Sequence, residues 1–208
     1  MPESVSTQHQ TNPFSTRHVR PGALPFFFRE GESAQAVISR LRARSWWGAI
    51  IGPHGSGKST LVAALLPEIQ AAGRKPILHT FHDGIIHLPV LSRQALRLHS
   101  DVLLIIDGYE QLSAWQKFRV RCSCRKTGSG LVVTAHSSTG LPELYRTSMT
   151  PDLAERVFGQ LTRNRPALAN ASELQDCLAA RQGNLREALF DLYDMHERRR
   201  QSQEQESS

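Results

Sequence analysis

Gly52-Pro-His-Gly-Ser-Gly-Lys-Ser59 is the stretch on which the reading of this chain turns. It follows Trp46-Trp-Gly-Ala-Ile-Ile51, a short apolar run that stops at glycine and reads as a buried strand. It leads into Lys58–Leu66, whose apolar content reads as a helix that Pro67 should kink or end. The octet satisfies G-x-x-x-x-G-K-[ST] in the strand–turn–helix setting that gives the pattern meaning. Its glycines let backbone N–H groups turn inward around an anion, and the helix N-terminus adds partial positive charge.

The expected phosphate-binding set is Gly52, Pro53, His54, Gly55, Ser56, Gly57, Lys58, Ser59 and Thr60. Lys58 should reach the β- and γ-phosphates of a nucleoside triphosphate, and the Ser59 hydroxyl should bind Mg²⁺. ATP is preferred over GTP, because no N/T-K-x-D guanine-reading motif follows the loop.

Outward from this loop, strands and helices alternate. Ala34–Arg42 has helical apolar spacing, and Pro76–Phe81 reads as a strand. Val90–His99 reads as a helix, and Asp101–Asp107 is a β-branched and leucine run suited to a strand covered on both faces. Leu112–Lys126 should be helical, Gly130–Ala135 a buried strand, and Glu143–Met149 a fifth strand. This alternation predicts an α/β fold with a parallel sheet sandwiched by helices over residues 21–150. Beyond it only helices are expected, forming a small helical lid over residues 151–200. Thr150-Pro151 supplies a cap and an N1 proline, Ser172 with Gln175 a capping box, and Asn184 with Glu187 the cap of a last helix. That helix carries Leu185, Ala188, Leu189, Leu192 and His196 on one face. Residues 1–20 and 201–208 are polar enough to be read as disordered tails, with Phe14 able to dock.

Asp107 closes the run Val102–Ile106. A carboxylate there, at the end of a buried strand adjacent to the loop, is suited to hold Mg²⁺. Hydrolysis needs a second acid to polarise water, and Glu110 is the nearest candidate.

Leu103-Leu-Ile-Ile-Asp-Gly-Tyr-Glu-Gln-Leu112 resembles the Walker B segment of NACHT-type STAND ATPases, an apolar run followed by D-G-x-D/E-E. Glu110 matches the first of the paired acids, and Gln111 replaces the second. In most AAA+ ATPases a Glu follows the Asp directly, where this chain has Gly108. Leu131-Val-Val-Thr-Ala-His136 is similar to the sensor-1 strand of AAA+ and STAND proteins, with Thr134 at the polar sensor position. Gly183-Asn-Leu-Arg186 followed by Glu-Ala-Leu189 resembles the sensor-2 helix of clamp-loader and initiator AAA+ groups. In those groups the arginine contacts the γ-phosphate from the lid, and Arg186 matches it. Arg146 falls where clamp loaders carry an arginine finger for the neighbouring subunit. The resemblance, over roughly residues 45–195, implies a P-loop NTPase core that binds and hydrolyses ATP as a switch or motor. No effector or winged-helix segment follows the lid, so the output is expected to pass through a partner protein or self-assembly.

Composition bounds the alternatives. Hydrophobic residues make up 39% and charged residues 21%, which excludes a wholly disordered chain. There is no run of eighteen apolar residues and no signal-peptide core, so the expected location is cytoplasmic with no membrane partner. Three cysteines do not read as a disulfide framework. Of nine histidines, His79, His82 and His87 cluster in sequence but lack the partners for a four-ligand metal site. Lys117, Arg119, Arg121, Arg125 and Lys126 lie on an acid-free helix that is able to track nucleic-acid phosphates non-specifically. Two other functions stay open. Gln111 fits a non-hydrolysing, nucleotide-dependent DNA-bound adaptor, and Arg119, Arg121 and Arg125 would fit the phosphate lid of a small-molecule kinase.

Overall fold

The computed structural model describes Phe14 and residues 24–81, 98–163 and 170–206. The chain divides into two compact units. One spans Pro25–Ser148; the other begins at Met149 and includes Phe14.

The first unit is α/β. Strands β1 (Trp47–Ile51), β2 (Lys75–Thr80), β3 (Val102–Asp107), β4 (Gly130–Ala135) and β5 (Glu143–Arg146) form one sheet in the order β2-β3-β4-β1-β5. Every neighbouring pair is parallel. Helices α1 (Ala34–Ala43) and α2 (Lys58–Ala71) cover one face, and α3 (Ala114–Thr127) covers the other. The strand period of two decides which residue faces which helix. Ala49, Ile51, Leu104, Ile106, Leu131 and Val133 pack with Val120 and Cys124 of α3. Ile50, Leu103, Ile105 and Val132 pack with Leu41 of α1 and with Leu61, Leu65 and Ile69 of α2. Both faces of the central strands are therefore dry, which is why their sequences are continuous apolar runs rather than alternating ones. Each buried Val, Leu or Ile among them contributes roughly 1.5–3 kcal/mol of burial energy.

Pro67 does not end α2, which continues to Ala71. Proline removes one helical N–H, but Leu65 and Ile69 on either side of it are buried against the sheet and hold the helix through the gap. Strand β2 is an edge strand, where Pro76 is tolerated and Leu78 is exposed. The helix expected over Val90–His99 lies outside the described residues, except for Leu98 and His99, which are not helical.

The second unit is helical: α4 (Pro151–Thr162), α5 (Ala171–Ala180) and α6 (Leu185–Glu206). The Thr150 hydroxyl accepts from Leu153 N at 3.3 Å and caps α4. The cap of α5 is Asn170, not Ser172. Its Oδ1 accepts from Glu173 N at 2.9 Å while Glu173 Oε2 accepts from Asn170 N at 3.1 Å. Ser172 lies inside the helix. Asn184 caps α6 through Glu187 N at 3.4 Å. That helix runs to Glu206, so residues 201–206 extend it instead of forming the disordered tail their polarity suggests. Gln, Glu and Arg are good helix formers, and an existing helix propagates at little cost. Leu174, Leu178, Leu185, Ala188, Leu189, Leu192 and His196 are buried. Phe14, the described residue of the N-terminal stretch, is fully buried and stacks on Phe158 with centroids 6.0 Å apart. Among the described residues no helix is long and apolar enough to cross a membrane.

Candidate functional site

Because all five strands are parallel, their carboxyl ends share one edge of the sheet. The helices after β1 and β3 cover opposite faces, the arrangement that opens a crevice at the carboxyl edge of an α/β sheet. The residues singled out by sequence in the first unit gather there.

The glycine-rich turn after β1 is fixed by its neighbours. Gly52 N donates to Ala135 O at 3.1 Å, and Thr147 N donates to Ile51 O at 2.8 Å. A Cβ on Gly52 would lie 2.1 Å from Thr147 Oγ1 and 2.5 Å from its carbonyl oxygen, so no other residue fits. Ser56 is buried, its Oγ 2.8 Å from Pro53 O and 2.6 Å from Thr147 Oγ1. Thr147 thus closes the turn from β5, a role that nothing local in the sequence marks.

Lys58 opens α2. Its Nζ donates to Gly52 O and Pro53 O, both at 2.7 Å. Burial pushes its ammonium below the ordinary lysine value, while Glu110 and Asp107 pull it back up. The same edge therefore holds one buried cation and two acids. Ser59 and Thr60, next along α2, are half-buried.

Asp107 ends β3, but β3 is not the neighbour of β1; β4 lies between them. The expectation of adjacency is corrected by the strand order, and β4 supplies the link. Thr134 Oγ1 donates to Asp107 Oδ1 at 2.6 Å and accepts from Gly108 N at 2.9 Å. Thr134 is fully buried, with its one proton committed to Asp107. Gly108 explains why no glutamate follows Asp107 directly. Its φ is 92°, and a Cβ there would lie 2.6 Å from Phe81 O. A short 3₁₀ turn, Tyr109–Gln111, then carries the acid two residues on. Tyr109 anchors that turn in the core, and its hydroxyl accepts from Arg121 Nε at 3.0 Å.

Glu110 Oε1 lies 3.1 Å from His136 Nε2. Its Oε2 is buried with no hydrogen-bond partner. The His136 ring packs on His54 of the glycine-rich turn, with centroids 3.5 Å apart. Sequence reading missed His136; the available signal is its place one residue beyond the end of β4, on the same sheet edge as Asp107.

Compared with protein-family models, the chain matches none. Compared with curated proteins, it also matches none. Its chemistry is therefore read from these side chains alone.

Lys58, Asp107, Glu110 and Thr134 converge; the two arginines make contacts of their own, each within its own unit. Arg146 is exposed at the end of β5, its Nε donating to Glu143 Oε1 at 3.0 Å. Arg186 is exposed in the first turn of α6, in the helical unit, with its guanidinium 5.8 Å from the Phe190 ring centroid. Among the described residues no group of His, Cys, Asp and Glu forms a ready-made metal cage. A cation at the sheet edge would be held as Mg²⁺ commonly is, by one or two protein oxygens with the rest from ligand and water. Ser59 and Asp107 are the oxygens that the sequence pattern nominates for this. His79, on β2, has its pKa lowered by burial, and His82 and His87 lie outside the described residues. Cys124 faces the core, where burial pushes its thiol up to about 12, while Cys122 is only half-buried.

Proposed function

We propose that this protein binds ATP with Mg²⁺ at residues 52–60 and hydrolyses it, acting as an AAA+/STAND-like P-loop ATPase whose nucleotide state switches its output. The observation that carries this reading is Lys58: a buried ammonium at the sheet edge, held by two carbonyls of its own loop and facing Glu110 and Asp107. Burying a lysine costs stability unless the charge is well matched. An ATP role accounts for that cost, since the same ammonium can exchange main-chain carbonyls for phosphate oxygens.

The roles follow from position. The turn amides and the N-terminus of α2 bind the phosphates, and Lys58 supplies the point charge at the β- and γ-phosphates. Ser59 and Asp107 would hold Mg²⁺, which neutralises charge on the phosphate oxygens. Glu110, with one carboxyl oxygen unpartnered, takes the proton of the attacking water. Thr134 holds the Asp107 carboxyl and the turn after it. Glu110→Gln should leave Mg-ATP bound and slow phosphate release by roughly 10²-fold or more, the scale of losing a general base. An unchanged rate would remove Glu110 from the chemistry.

The contact between Glu110 and His136 favours a second reading, a nucleotide-dependent binding module that does not hydrolyse. There His136 holds the carboxylate away from water. Wild-type protein that binds Mg-ATP and releases no phosphate would select it.

A further inference from the structure

Helix α3 carries five cationic side chains and no acidic one, and it divides them between two faces. Its inner face is committed to the fold. Lys117 lies 5.3 Å from the Tyr109 ring centroid, and Arg121 bonds to Tyr109 Oη and to the Thr139 carbonyl. The outer face is different. Trp115 and Phe118 are 64% and 58% exposed, and they are two of the three large apolar side chains exposed among the described residues. Their rings lie within 20° of parallel with centroids 5.9 Å apart. Arg119, Arg125 and Lys126 are exposed on the same side of the helix; the Arg119 guanidinium lies 6.0 Å from the Trp115 ring centroid, which leaves the free face of the stack on Phe118, and the Arg125 guanidinium lies 5.5 Å from the Trp47 centroid at the border with the inner face. At about 100° per residue these five side chains fall within an arc of about 120°, with Cys122 between them.

We infer that this arc of α3 is a binding face for single-stranded nucleic acid. The two near-parallel rings form one stack that a nucleobase extends, and the cations on either side meet the backbone phosphates. Stacking of bases on exposed aromatics beside cations is how single strands are held without sequence readout. A duplex keeps its bases stacked internally and has no face to offer the rings. An acidic protein helix would match the charge, but the arc has no branched aliphatic side chain to seat it. From Trp115 to Lys126 the face is about 16 Å long, room for roughly four stacked nucleotides. It is separate from the loop at residues 52–60 and does not depend on nucleotide binding there.

The test is fluorescence anisotropy of a labelled fifteen-nucleotide oligo-dT with the full chain and no added nucleotide. With three phosphates neutralised, the salt slope should be about −2, so affinity should fall about 20-fold from 50 to 200 mM salt. The double variant Trp115→Ala/Phe118→Ala should lose about 10-fold or more at unchanged Tm, since each stacked base contributes about 5- to 150-fold. Trp115→Phe should retain most of the binding. Lys58→Ala should bind as wild type does. The inference is overturned by any of four results: equal or tighter binding of a duplex of the same length; undiminished binding by the double variant; loss of binding in Lys58→Ala; or displacement of the oligonucleotide by polyglutamate at equal charge concentration, which would make an acidic protein segment the occupant.

Discussion

Thr134→Val should destabilise the α/β unit far more than its size suggests. Valine matches threonine in shape, so no cavity forms and the change is confined to one hydroxyl. That hydroxyl makes two hydrogen bonds in a fully buried position: to Asp107 Oδ1 at 2.6 Å and from Gly108 N at 2.9 Å. Losing a bond to a carboxylate costs about 1.5–3 kcal/mol, and leaving a shielded N–H unpaired costs about 1–3 kcal/mol more. The sum, about 2–5 kcal/mol once partial exposure of Gly108 is allowed for, is a large share of the 5–15 kcal/mol typical of a folded domain. Urea unfolding followed by tryptophan fluorescence isolates the effect. Trp46, Trp47 and Trp115 all lie in the unit Pro25–Ser148, so the signal reports that unit alone. The midpoint should fall by about 1–2 M with the slope unchanged. Thr134→Ser keeps the hydroxyl and should cost only about 1 kcal/mol for the lost methyl. A Thr134→Val midpoint within about 0.3 M of wild type, under about 1 kcal/mol at the usual slope, would refute the claim that this hydroxyl locks the turn carrying Glu110.

Two further outcomes are expected. Gly108→Ala should lower Tm by about 4–10 °C, because its φ is 92° and the new Cβ would meet Phe81 O at 2.6 Å. Gly73→Ala, at φ 81° with nothing within 4 Å, should cost clearly less, and equal losses would leave the clash unsupported. Asp101 is held at about 2 instead of 3.8, first by Lys75 and then by His99. A carboxyl depressed in the folded state adds stability above its unfolded value and loses it as pH falls through the folded one, here from about pH 4 down towards 2. Lys75→Ala should therefore raise the Asp101 midpoint towards 3.8 in a carboxyl NMR titration and flatten that part of the acid profile. An unmoved midpoint would exclude Lys75 as the main cause.

Local pattern made much of this fold legible. Val102–Asp107 and Gly130–Ala135 were readable as doubly covered strands because a parallel sheet leaves no polar face to interrupt the run. The caps at Thr150 and Asn184 were readable because a cap depends on residues three apart. Local signals misled where two candidates competed: Asn170 with Glu173 and Ser172 with Gln175 both fit a capping box, and the chain uses the first. Pro67 reads as a kink or an end because its missing N–H is local, while the sheet contacts of Leu65 and Ile69 that carry the helix past it are not. At the candidate site the residues on loop and strand ends, Lys58, Asp107 and Glu110, were found from spacing. Their setting was not. The insertion of β4 between β1 and β3, the closure of Gly52 by Thr147 and the pairing of Glu110 with His136 join residues 26 to 95 positions apart, and no window of sequence records such contacts. Gly108 shows the two kinds of information meeting. The sequence shows a departure from the AAA+ pattern, and Phe81 supplies its steric reason.

In the proposed function, Lys58 and the turn before it bind the phosphates of ATP. Titration calorimetry of the full chain with Mg-ATP tests it most directly. Saturable binding is expected for wild type and no detectable binding for a folded Lys58→Ala variant, which lacks the point charge at the β- and γ-phosphates. Equal affinity of the two proteins, or no binding by wild type, would contradict it.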